Sequence, residues 1–338
     1  MTAPAASAES GQSTGQPTRP TLAALREAAR IVHRGMAPTA QLNWPQLSAA
    51  FGAEVWVKHE NQTPLGAFKV RGGLVYFERL LQREADIAGV ICATRGNHGQ
   101  SVAYAAGRAG LRCTIVVPHG NSREKNAAMR ALGAELIEHG ADFQDAREHA
   151  DALAQQHGWH LVPSFHDDLV LGVASYALEW FDALDAPLDT VYVPIGLGSG
   201  ICGLIAARDA LGLPTEIVGV VSGGAPAYAR SLAAGHCVPH AVTTRLADGM
   251  ACRVPEPAAF AIIRDGAARV VEVSDAGIAA AMRLIFETTH NVVEGAGAAA
   301  TAAARQEGAR IAGRRVGLVF SGGNIDRAVY AAVLAEAA

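Results

Sequence analysis

The chain has 338 residues, 50% of them hydrophobic and 18% charged, enough to bury one large core or two coupled ones. Its 28 basic and 32 acidic residues give a net charge of −4 and a sequence pI near 6.3, which leaves no basic field for nucleic acid and no polybasic run for a membrane surface. No apolar run reaches membrane-spanning length, and five scattered cysteines (Cys92, Cys113, Cys202, Cys237, Cys252) without C-x-x-C spacing suit free thiols in the reducing cytoplasm rather than a disulfide framework.

Residues 1–20 are rich in Ala, Ser, Gly, Gln, Thr and Pro and lack an apolar run, which predicts a disordered leader rather than a signal peptide. Glu54 to Lys58 (EVWVK) alternates as a strand does, Pro64 and Gly66 mark a turn, and Val70 to Arg83 carries apolar residues at helical spacing. Lys69 therefore falls at the first turn of a helix, beside Phe68. The positive helix end and partial desolvation both favour its neutral amine, the form that attacks a carbonyl to make a Schiff base. Taken alone, a solvated lysine opening a helix is the plainer alternative.

Next comes CATRGNHGQ, Cys92 to Gln100, between a short strand (Gly89 to Ala93) and an alanine-rich helix (Ser101 to Ala109). Strands are predicted at Arg112 to Val117 and Glu135 to Ile137. His166, Asp167 and Asp168 read as a solvated turn. Tyr192 to Gly203, YVPIGLGSGICG, lies between the strand Thr190 to Val193 and the helix Ile201 to Leu211. Gly196, Gly198 and Gly200 let backbone N–H groups converge, Ser199 adds a hydroxyl, and the helix presents its positive end, so the loop has the composition of a phosphate cradle. The Walker lysine is absent and no GxGxxG fits, which disfavours nucleoside triphosphates and dinucleotides. Glycines also serve α/β turns for steric reasons alone.

Further strands are expected at Glu216 to Val221, Ala268 to Val273 and Arg315 to Phe320. EGAGA, Glu294 to Ala298, reads either as a capped helix start or as a glutamate brought to a site. VGLVFSGGNID, Val316 to Asp326, runs a buried strand into Ser321 and two glycines before a closing helix. The alternation predicts an α/β fold with mainly parallel sheets, whose strand-end loops converge on one crevice. His166, His236 and His290 show no partners at ligand spacing, so no metal is expected from them.

In this order the segments resemble the fold type II pyridoxal 5′-phosphate enzymes, and within them the threonine and serine dehydratases (ammonia-lyases), from about Pro20 onward. The resemblance implies a tryptophan synthase β-like fold of two open, mainly parallel, twisted sheets flanked by helices. It implies a small substrate-loop domain at 85–165 and a large cofactor-binding domain from 21–84 and 166–338. Lys69, in the segment Gly66 to Gly72, would hold the cofactor, with Phe68 beside it. Asn97 would bond the cofactor's 3′-oxygen. The loop of Thr94, Arg95, Asn97 and His98 would hold the substrate, Gly196, Leu197, Gly198, Ser199 and Gly200 the phosphate, and Ser321 would face the pyridine nitrogen.

The implied reaction is α,β-elimination, with Lys69 as base, of L-threonine or L-serine to a 2-oxo acid and ammonia. A homodimer or higher homo-oligomer acting on a small amino acid is expected, without nucleic-acid or membrane partners. Several positions depart from the family pattern. Ala67 replaces a serine, Leu197 and Ser199 interrupt a glycine run, and Val220 to Ala227 carries no carboxylate for a divalent cation, so no metal is expected there. Arg95 stands where dehydratases have alanine and racemases a serine, which argues against racemisation. It would either brace the loop by pairing with a protein carboxylate or read an acidic or polar substrate side chain.

The rivals are a dehydratase of another β-hydroxy amino acid (phenylserine, 3-hydroxyaspartate or an intermediate of hydroxyectoine breakdown), a β-replacement synthase of the cysteine synthase type, and a non-enzymatic phosphate-binding module. With one helix expected after Asp326, no regulatory domain is expected.

Overall fold

A computed structural model describes residues Pro20 to Glu336; the leader expected over 1–20 lies, apart from Pro20, outside them. The strands of the described residues are, in chain order, β1 (Gln41–Asn43), β2 (Glu54–Lys58), β3 (Val90–Ala93), β4 (Cys113–Val117), β5 (Glu135–Glu138), β6 (His160–Leu161), β7 (Thr190–Pro194), β8 (Glu216–Ser222), β9 (Arg269–Val273) and β10 (Arg315–Val319). They form two sheets. One has the order β1-β2-β10-β7-β8-β9 and the other β5-β4-β3-β6. Every pairing is parallel except β1 with β2.

Strands β3, β4 and β7 are buried along their whole length, as expected where helices cover both faces of a parallel sheet, and their near-continuous Val, Ile, Cys and Ala runs reflect it. The helix Lys69–Arg83 packs on Asp167–Ala183, which packs in turn on Ser199–Ala210. Tyr176 and Trp180 of the middle helix are fully buried, the Tyr176 hydroxyl donating to the Gly200 carbonyl at 3.2 Å and Trp180 reaching Gly317 of β10. Because the strands run parallel, the loops after β2, β3, β7 and β10 leave the sheets at their carboxyl ends.

The eight strands expected from the sequence are found to within a residue or so, while the short β1 and β6 were not expected. Two elements differ more. The helix expected from Ser101 begins at Asn97, because its polar first turn is held from within: the Thr94 hydroxyl accepts the N–H groups of Gly96 (2.9 Å) and Gly99 (3.2 Å). The solvated turn expected at Asp167 and Asp168 is instead the first turn of a helix. Asp168 is buried, and its carboxylate bridges Arg79 and Arg83 at 2.7 Å each. No helix among the described residues is long and apolar enough to cross a membrane.

Candidate active site

The loop after β2 is stitched to the end of β10. Thr63 accepts the Ala67 N–H and donates to its carbonyl, both at 2.9 Å. The Phe68 N–H donates to the Ser321 carbonyl at 3.1 Å, and Ala67 bridges Gly322. These bonds deliver Lys69, the first residue of its helix, opposite Ser321. The Lys69 ammonium donates to the Ser199 hydroxyl at 2.9 Å and lies 5.0 Å from the Phe68 ring centroid. It forms no ion pair among the described residues. Burial without a carboxylate lowers its pKa from 10.5 to about 8.

Thr94, Arg95, Asn97 and His98 border the same cavity. Burial first, and then Lys69, lower the His98 pKa to about 3, so the imidazole is neutral at ordinary pH. Its Nε2 has no hydrogen-bond partner. The Asn97 amide is held from both sides: Nδ2 donates to Glu294 at 2.6 Å and Oδ1 accepts from Asn324 at 2.9 Å. Gly96, at φ +150°, lies where a Cβ would fall 2.4 Å from the Lys125 side chain. No carboxylate of the described residues pairs with Arg95, and its Nε is buried without a partner. The brace to a protein carboxylate is therefore absent.

The N–H groups of Gly196 through Gly200, at the end of β7 and the start of the helix Ser199–Ala210, donate to no backbone carbonyl or side chain of the described residues. Gly198 adopts φ +105°, a left-handed conformation that turns the loop back on itself and is strained for any residue with a Cβ. The Leu197 carbonyl accepts the Tyr228 hydroxyl at 3.0 Å, which anchors the loop from behind.

Lys125 and Asp248 complete the wall, and the sequence pattern did not single them out. Lys125 bonds Asp248 at 2.7 Å and Glu294 at 2.9 Å. Burial opposes its charge, but the two carboxylates outweigh burial and hold its pKa above the usual lysine value. Glu294 makes no side-chain cap to its helix; of the two readings of EGAGA, the carboxylate in the site is the one observed. Burial pushes its pKa up, against the pull of Lys125. The cavity, about 1200 Å³, is walled by all these groups and by Ser321. All the candidate residues read from the sequence, from Phe68 to Ser321, border it.

The sequence pattern of the family described as "Pyridoxal-phosphate dependent enzyme" matches residues 32–322. The chain belongs to this family. L-threonine ammonia-lyase of Geobacter sulfurreducens is 35% identical over 303 residues, covering 89% of this chain and 75% of the relative. L-threo-3-hydroxyaspartate ammonia-lyase of a Pseudomonas species is 33% identical over 289 residues, 85% of this chain and 90% of the relative. Among solved structures, the processed form of threonine deaminase isoform 2 from Solanum lycopersicum superposes with a TM-score of 0.85 at 29% identity, covering 95% of this chain and 96% of that one.

Pyridoxal 5′-phosphate is the cofactor of the family, and the residues present fit it. The unpaired N–H groups of Gly196 to Gly200 and the helix end behind them suit a phosphate dianion. Lys69 is an amine whose pKa burial has brought near neutrality, within reach of that loop. The Asn97 amide keeps one hydrogen for an acceptor on the cofactor ring after its bond to Glu294. Ser321 offers a neutral hydroxyl, not a carboxylate.

Proposed function

We propose that this enzyme eliminates water from L-threonine, L-serine or a related β-hydroxy amino acid and releases a 2-oxo acid and ammonia. The observation that carries this reading is Lys69: a desolvated amine with no counter-charge, 2.9 Å from the hydroxyl of the phosphate-type loop. Bound pyridoxal phosphate supplies a carbonyl for the substrate amine and a conjugated ring that withdraws charge from Cα. Lys69 would hold the cofactor and, with the substrate amine in its place, would be the base that holds the proton from Cα. A base with a pKa near 8 is partly neutral at working pH yet still strong enough for that transfer.

On this reading the N–H groups of Gly196 to Gly200 hold the phosphate. Asn97, fixed by Glu294 and Asn324, would hold the cofactor ring through its remaining amide hydrogen. The loop from Thr94 to His98 holds the substrate carboxylate, with neutral His98 as a hydrogen-bonding wall rather than a proton carrier. Phe68 keeps water from the lysine. A serine at 321, in place of a carboxylate, does not enforce a proton on the pyridine nitrogen and favours prompt departure of the β-hydroxyl. Residues 85–165 act as a small domain carrying the substrate loop. The enzyme works as a homo-oligomer in the cytoplasm, a compartment that suits its free thiols.

The test is ammonia release from L-threonine and L-serine by the cofactor-loaded protein, with and without an added thiol or sulfide nucleophile. The proposal expects release without the nucleophile and loss of it in Lys69→Ala. Turnover only when the nucleophile is present would instead make the protein a β-replacement synthase.

A further inference from the structure

Arg95 is the unmatched cation of the substrate loop. Of the other basic side chains on the cavity wall, Lys125 is held by Asp248 and Glu294, and Arg253 is paired with Asp142 at 2.7 Å. Arg147 is exposed at the outer edge. Arg95 has no ion pair among the described residues, and its Nε donor is shut away from solvent with no acceptor. The half-buried guanidinium borders the cavity without a counter-charge among the described residues, so a ligand that brings an acceptor there gains a charge-assisted bond that the chain itself does not supply. Arg95 is one residue past Thr94 and two before Asn97, so that ligand is the amino acid held by the same loop.

Threonine and serine do not supply such an acceptor. Their side chains beyond Cβ are a methyl group or nothing, and their hydroxyl is the group that leaves. A planar oxygen acceptor on the β-carbon would answer the guanidinium: a carboxylate in two-pronged fashion, or an amide carbonyl with one bond.

We infer that Arg95 is a specificity-determining residue that selects β-hydroxy amino acids whose β-carbon carries a carboxylate or amide oxygen. This rests on the elimination reading above and narrows its substrate class. The chemistry stays balanced: Cα–H and Cβ–O break, Lys69 takes the Cα proton and passes it to the departing hydroxyl, which leaves as water, one water is then taken up as ammonia is released, and the acceptor group is carried unchanged into the product.

The experiment compares wild type, Arg95→Ala and Arg95→Lys as loaded enzymes of equal cofactor content. Ammonia release is measured for L-serine, L-threonine, L-threo-3-hydroxyaspartate and L-threo-3-hydroxyasparagine. Calorimetry measures the binding of L-aspartate, L-asparagine and L-alanine, none of which can lose water. The inference expects wild type to prefer one of the two hydroxy acids with an acceptor. In Arg95→Ala, the kcat/KM ratio of that substrate to serine falls tenfold or more, and the affinity ratio of its unreactive analogue to alanine falls alongside. Preference for the aspartate pair assigns a carboxylate, and preference for the asparagine pair an amide; Arg95→Lys keeps more of the former than the latter.

Equal losses on all four substrates, or unchanged affinity ratios, overturn the inference and make Arg95 a general holder of the loop or of the α-carboxylate. If no substrate releases ammonia while analogue binding still depends on Arg95, the elimination reading fails and the recognition role stands.

Discussion

The two sides of the helix Lys69–Arg83 treat buried charge in opposite ways. Behind the helix, Arg71 is fully enclosed and bonded to Glu60 (2.7 and 2.9 Å) and Glu179 (2.5 and 2.9 Å), with Ser175 taking a further bond. Lys58, equally enclosed, bonds Glu179 and the Thr39 carbonyl at 2.8 Å each. On the cavity side Lys69 has a hydroxyl and the Phe68 ring, and Arg95 has no bonded partner at Nε. The rear charges are matched within the chain and hold β2 to the helices. Lys69 and Arg95, unlike Lys125 of the same cavity wall, lack counter-charges among the described residues, the condition in which an amine becomes nucleophilic and a guanidinium is free for a ligand.

The largest expected effect comes from removing the unmatched amine. Lys69→Ala should lower elimination by about 10² to 10⁴ or more while leaving the melting transition of the cofactor-free protein in place; ammonia assay and calorimetry check both. Removing a matched charge should do the reverse. Arg71→Met strands the buried Glu60 carboxylate and takes one of its cations from Glu179, which keeps Lys58, and should destabilise the fold by about 3–5 kcal/mol, read by urea unfolding.

The pH dependence should separate the two sides as well. Burial raises the Glu179 pKa, but Arg71 and Lys58 outweigh it and bring the value down to about 2 from 4.5. Its contribution, on the order of 1–3 kcal/mol, is present above pH 4.5 and lost as pH falls toward 2. Lys69 has the opposite signature. Its folded pKa, about 8, lies below the ordinary 10.5, so the unfolded chain binds more protons between those values and the cofactor-free protein should gain stability as pH rises through that window. Unfolding curves of wild type and Lys69→Met across both windows test this: the variant should lose the alkaline rise and keep the acid fall.

A smaller effect is expected from giving the cavity side a counter-charge. Gly198→Asp places a carboxylate in the phosphate-type loop, where it competes with the phosphate and should weaken cofactor affinity about tenfold or more. Titration of the cofactor-free protein measures it; unchanged affinity would remove the loop from the site.

What was legible in the sequence was local. The strands, the lysine at a helix start, the glycine loop and the family lie in short contiguous segments whose composition reflects their own backbone. What was missed depends on residues distant in the chain. Asp168 looks like a turn residue until Arg79 and Arg83 fold over it. Glu294 sits at a helix start, as a cap would, and only the approach of Lys125 and Asn97 makes it part of the site. Arg95 has many carboxylates to choose from along the chain, and its lack of one is visible only in three dimensions.

The chain has three lysines, Lys58, Lys69 and Lys125, and among the described residues only Lys69 lacks a carboxylate partner. That makes one measurement decisive: add pyridoxal 5′-phosphate to the cofactor-free protein, reduce with borohydride, digest, and map the reduced adduct by mass spectrometry. The account predicts the adduct on Lys69, with Lys58 and Lys125 unmodified while the fold is intact. An adduct on Lys58 or Lys125 with Lys69 left free, or no adduct on the folded protein, would contradict it.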